Sequence, residues 1–164
     1  MTVAELKTKI KSADPGGAYV FCGEEDYLKK YYLKEFVNIC CPDDTFSLFN
    51  QVVFDGAEVD IAEIAESLKS PPMMSDYKLI EWQYPDIEHM SESEKKLMCE
   101  LADSISEYPY VIFILFTNIE GFGPGTQKRP SKLASRFAKS YNVVNFEKST
   151  DAQLVGWLKR HFDA

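Results

Sequence analysis

The sequence predicts an α/β fold: one doubly wound, parallel, five-stranded sheet with helices on both faces, three layers in all. Three observations predict it. Apolar runs of strand length alternate with helix-period segments from end to end. The most apolar run, Tyr110–Phe116 (YVIFILF), shows no inside–outside alternation, as a parallel strand covered on both faces requires. The 164 residues are 45% hydrophobic, with 11 phenylalanines, 9 tyrosines and 2 tryptophans, enough to fill one core.

Taken in order, Val3, Leu6 and Ile10 share one face of a short opening helix, stopped by Asp14-Pro15-Gly16-Gly17. Ala18–Cys22 is the first strand. Asp26–Cys40 is helical by period, with Leu28, Tyr32 and Phe36 on one stripe, and Pro42 ends it. Leu48–Phe54 reads as the second strand, closed by Asp55-Gly56. Asp60 caps a helix bearing Ile61, Ile64, Ala65 and Leu68. Ser70–Asp76 is a loop, and Lys78–Trp82 is the third strand. Ser91 and Glu94 form a capping box before Leu97, Met98, Leu101 and Ile105. After the Tyr110–Phe116 strand come a long loop, Gly121–Pro130, a helix, Ser131–Lys139, and a fifth strand, Val143–Phe146. Thr150 and Gln153 open a last helix carrying Leu154, Trp157 and Leu158. The residues alone fit either a helix closing this core or the start of a further domain.

Composition excludes several classes. No apolar run approaches the roughly 20 residues of a membrane span, and Met1–Lys11 is too charged for a signal peptide. Cys22, Cys40, Cys41 and Cys99 lack metal-ligand spacing, so a reduced, metal-free cytoplasmic protein is expected. The net charge of −8 opposes a bulk grip on nucleic acid. Gly121–Asn142 is the exception. It holds no acid and five cations, Lys128, Arg129, Lys132, Arg136 and Lys139, so any polyanion contact belongs there.

A doubly wound sheet binds ligands beyond the carboxyl ends of its strands, with phosphate at the first strand–turn–helix. Here that turn runs from Gly23 to Lys30. Against the phosphate-loop pattern only Gly23 and Lys29 match. Leu28 stands in place of the second glycine, where backbone must approach phosphate, and Lys30 in place of the magnesium-ligating hydroxyl. Glu24, Glu25 and Asp26 already place negative charge at the helix N-terminus. The third strand, Leu79-Ile80-Glu81-Trp82, carries one acid where metal chemistry needs a pair. A rival phosphate cradle is Gly121–Lys128, although Pro124 removes one of its amide donors. No nucleophile–base set is evident, so no catalytic residue and no cofactor is expected.

The loop Ser70-Pro71-Pro72-Met73-Met74-Ser75-Asp76 sets two adjacent methionines on a proline-stiffened turn. Successive loop residues rarely both tuck inward, so at least one is expected to be exposed. Core capping and an adaptable contact with a partner's apolar pocket both stay open on the residues alone.

Three strings, Tyr19–Leu28 (YVFCGEEDYL), Val53–Asp60 (VFDGAEVD) and Ser70–Leu79 (SPPMMSDYKL), resemble in order and spacing the N-terminal domain of the DNA polymerase III delta subunit. Phe146–Lys159 resembles the passage leading into that family's next domain. The resemblance implies an AAA+-like clamp-loader module, P-loop NTPase-like without a working phosphate loop. It implies no catalysis of its own within the polymerase holoenzyme. Such a subunit binds the ring-shaped sliding clamp (the beta subunit) and springs one of its interfaces for loading on primed DNA. Met73 and Met74 occupy the place of the family's apolar wedge, flanked by Pro72 and Ser75; phenylalanines or a leucine–phenylalanine pair are more usual there. The implied domains are residues 1–148, clamp-binding, and 149–164, a linker and first helix leading to a lid domain outside this chain. Further partners would be the other clamp-loader subunits, with DNA reached only through the assembled loader and no membrane contact. Two other readings stay in view: a nucleotide- or phosphate-binding α/β enzyme using Gly121–Lys128, and a DNA adaptor using Lys128–Lys139.

Overall fold

In the computed structural model, which describes residues 1–148 with Val155, Gly156 and Lys159, five parallel strands make one sheet. They are β1 (Gly17–Cys22), β2 (Gln51–Asp55), β3 (Lys78–Gln83), β4 (Val111–Phe116) and β5 (Asn142–Asn145). Their order in space is β2-β3-β4-β1-β5. β4, the most apolar strand, sits centrally, pairing Lys78 with Val111 on one side and Gly17 with Ile112 on the other. The helices packed around the sheet are α1 (Val3–Ile10), α2 (Asp26–Cys40), α3 (Asp44–Asn50), α4 (Ile61–Leu68), α5 (Glu92–Ser104), which a 3-10 turn (Ile105–Glu107) prolongs, and α6 (Lys132–Phe137).

The pleat of β4 divides its side chains between two cores. Val111, Phe113 and Leu115 pack with Ile64 and Leu68 of α4, Met98 and Leu101 of α5 and Phe137 of α6. Ile112, Ile114 and Phe116 pack with Leu6 of α1 and Leu28, Tyr32 and Phe36 of α2. The three-layer, doubly wound architecture expected from the alternation is therefore present. Both predicted caps form: Asp60 accepts from the Ala62 amide, and Ser91 and Glu94 close a reciprocal box at α5.

The second strand needs correction. Leu48, Phe49 and Asn50 end α3, and β2 begins only at Gln51. The helix starts because the Asp43 carboxylate caps the Thr45 amide. It stops at Asn50, whose side chain is fully buried. β2 is an edge strand with partial cover, so length and apolarity alone could not separate its residues from the apolar turn before it. Apart from Val155, Gly156 and Lys159, the helix expected from Thr150, Trp157 included, lies outside the described residues. No helix among the described residues is long and apolar enough to cross a membrane.

Candidate functional site

The turn after β1 is closed on itself. Lys29, only 1% exposed, donates from Nζ to the carbonyls of Gly23 at 2.8 Å and Thr117 at 2.9 Å. It pairs with Asp26 at 2.8 Å and lies 5.4 Å from the centre of the Phe116 ring. The ammonium that would face a phosphate is thus spent inside the protein. Gly23 has φ +98°, and a Cβ there would stand 2.4 Å from the Phe146 carbonyl oxygen. That carbonyl also accepts from the Glu25 amide at 3.0 Å, so the chain after β5 fills the space above the turn. Leu28 is buried and Lys30 exposed, so the two do not face one point.

On β3, beyond β4 in the sheet, the one carboxylate is not open to a metal either. Glu81 is buried and accepts from Gln51 Nε2 at 2.7 Å and Gln83 Nε2 at 2.9 Å. Among the described residues, no three His, Cys, Asp or Glu side chains gather around one point.

The glycine-rich loop has spent most of its amides as well. Gly121 donates to Asn118 Oδ1, Gly123 to the Glu88 carboxylate at 3.4 Å and Gln127 to the Glu147 carboxylate at 2.6 Å. Thr126 and Arg129 exchange backbone hydrogen bonds across a small hairpin. Two carboxylates therefore hold positions an incoming phosphate would need. In the basic stretch that follows, Lys128, Arg129, Lys132 and Lys139 are exposed, whereas Arg136 is held by Glu92.

The methionine loop lies at the opposite end of the sheet, before β3. It is pinned at three points. Lys78, 3% exposed, donates to the carbonyls of Ser67 at 2.8 Å and Ser70 at 3.4 Å, which also caps the C-terminus of α4. Asn50 donates from Nδ2 to the Met73 carbonyl at 2.9 Å and accepts the Met73 amide at 2.7 Å. Ser75 donates to the Ile39 carbonyl at 3.4 Å, and Pro72 and Ser75 are half-buried. Between these anchors Met73 is 47% and Met74 80% exposed. Both methionines face solvent, where the sequence required only one to do so.

Met74 also has φ +54°. For a residue with a Cβ that conformation costs about 1–2 kcal/mol, and Asn50 is what holds it. By fixing the Met73 carbonyl, Asn50 fixes the peptide plane from which the Met74 φ is measured. The sequence reading missed Asn50 and its neighbours Leu48 and Phe49, which are 83% and 50% exposed. A helix reading of Asp43–Asn50, with its capping aspartate, would have brought them forward.

The geometry can be set beside known proteins. The profile of the family described as "DNA polymerase III, delta subunit" matches residues 19–147. No curated protein matches the sequence. Among solved structures, the Bacillus subtilis DNA clamp loader delta protein (YqeN) superposes with a TM-score of 0.70 at 17% identity, covering 94% of this chain and 45% of that one. A DNA polymerase III gamma-subunit-related protein from Thermotoga maritima superposes with a TM-score of 0.58 at 16% identity, covering 96% and 49%. The chain thus spans about half the length of these two neighbours. A profile match that covers most of the chain, on a sheet of the clamp-loader kind, makes this chain a member of the DNA polymerase III delta subunit family.

Proposed function

We propose that this chain is a non-catalytic clamp-loader module that docks onto the sliding clamp through Met73 and Met74. The observation that carries the reading is the apex of the Ser70–Asp76 loop: two adjacent apolar side chains held out by buried anchors, one in a disfavoured backbone conformation. A loop with no external role would relax that strain and cover that surface. The phosphate turn supports the non-catalytic half, because Lys29 and the backbone around Gly23 are already satisfied from within. The Gly121–Lys128 alternative is disfavoured by the carboxylates on its amides.

Burying what remains exposed of the two methionines yields about 2–4 kcal/mol at the usual transfer value. That anchors a complex but does not outweigh association costs alone, so adjoining surface has to contribute. Clamp opening then follows from differential binding: the module fits a sprung clamp interface better than a closed one. On this reading residues 149–164 lead toward a lid domain, other loader subunits join the assembly, and DNA is met only by the complete loader.

Titrating the chain with its cognate sliding clamp tests the reading. Met73→Ala with Met74→Ala is expected to weaken binding by roughly 30-fold or more, with an unchanged melting temperature. Equal affinity for parent and variant overturns it.

A further inference from the structure

We infer that Leu48 and Phe49 on α3 form the second half of the docking surface, held in register with Met73 and Met74 by the buried Asn50 carboxamide. The inference rests on the clamp-docking reading above and extends it to residues outside the methionine loop.

Position comes first. β2 and β3 are parallel neighbours with Gln51 beside Leu79, so the segment entering β2 and the loop entering β3 emerge at the same end of the sheet. Asn50 bridges them. One side chain, with no exposure at all, binds Cys40 at the end of α2 and both backbone groups of Met73. Both Nδ2 hydrogens and one of the two Oδ1 lone pairs are spent on tying three segments together. Leu48 and Phe49 immediately precede this bridge, and Met74 immediately follows its far end. Four large apolar side chains, between 47% and 83% exposed, therefore surround a single rigid point.

Composition gives the patch the character of an interface centre. Thr45–Phe54 and Ser70–Ser75 contain no charged residue, in a chain that is 27% charged. Loss of charge together with Met and Phe marks the dry middle of protein interfaces, not their rims. The same four residues also answer the energetic shortfall of the methionines, since Leu48 and Phe49 offer at least as much uncovered apolar surface. The occupant is accordingly the clamp itself: one face, entered by the methionines and seated on α3.

Clamp titrations of the chain with five variants, Met74→Ala alone among them, separate the possibilities. Leu48→Ser with Phe49→Ser, checked for an unchanged fold by circular dichroism, is expected to weaken clamp binding about tenfold or more. Asn50→Ala is expected to weaken it about tenfold in the parent but less than about twofold when Met74 is already alanine. A purely structural Asn50 would cost the same in both backgrounds. If Met73→Ala with Met74→Ala weakens binding while the Leu48/Phe49 variant binds like the parent, the extension to α3 is wrong and the docking reading stands. If the methionine variant itself binds like the parent, both fall. Sedimentation that shows the parent chain self-associating and the Leu48/Phe49 variant monomeric, with clamp affinity unaffected by their replacement, also overturns the extension.

Discussion

At the carboxyl end of the sheet, the turn after β1 turns its functional groups inward; at the amino end, the loop before β3 turns its own outward. Each has a fully buried polar side chain among its anchors. Lys29 gathers the carbonyls of Gly23 and Thr117 and the Asp26 carboxylate, leaving the turn nothing to offer a phosphate. Asn50 gathers Cys40 and both polar groups of Met73, and the effect is the reverse, because what it fixes is a pair of apolar side chains in solvent. A buried polar anchor can therefore close a site or present one. Which it does depends on whether the neighbouring side chains have anywhere inside to go.

The largest effect expected from breaking this comparison is at Lys29. Lys29→Ala removes a buried cation and strands two carbonyls, and should cost about 3–5 kcal/mol in urea unfolding. A loss below about 1 kcal/mol would mean the turn is not locked from within. Gly23→Ala comes next. It forces a Cβ against the Phe146 carbonyl at positive φ and should cost about 2 kcal/mol, read from the same unfolding curves. Neither change is expected to create ATP binding by calorimetry, since the chain after β5 still occupies the space.

How far these regions could be read in advance differs for physical reasons. Helices with a full apolar stripe or a capping box, such as α2 and α5, and strands buried on both faces, such as β4, announce themselves through period and composition. The failed phosphate turn was legible at Leu28 and Glu24–Asp26, because those residues replace groups that phosphate binding requires. That Lys29 folds back onto two carbonyls was not, because the partners come from residue 117 and from the turn itself. The methionine pair was legible as odd, but its left-handed backbone and its tether to Asn50 depend on contacts between segments 23 residues apart. Leu48–Asn50, the end of α3, reads as strand because a short, half-covered apolar segment has no period long enough to distinguish the two.

Smaller effects sharpen the contrast. Met74→Gly removes the penalty of positive φ and should raise stability by roughly 0.5–1 kcal/mol while weakening clamp binding. A stability gain with binding lost is the signature of strain kept for function. If the variant is instead destabilised, the loop is not strained at Met74. The smallest effect concerns thiols. Burial pushes Cys22 up to about 12 and Cys40 higher still, because thiolate is disfavoured away from water. At pH 8, alkylation should reach Cys41 and Cys99 well before Cys22 and Cys40. Raising the pH should speed the first pair without exposing the second until the fold opens. Early labelling of Cys40 would show that the end of α2 and the anchor on Asn50 open together.

On the docking reading, this chain meets its partner at the amino end of the sheet and not at the carboxyl end. Amide hydrogen exchange of the chain with and without its sliding clamp tests this most directly. Slowed exchange across Asp44–Asn50 and Ser70–Asp76 is expected, with Gly23–Lys30 unchanged. Protection appearing at Gly23–Lys30 or Gly121–Pro130, with the methionine loop unaffected, would contradict it.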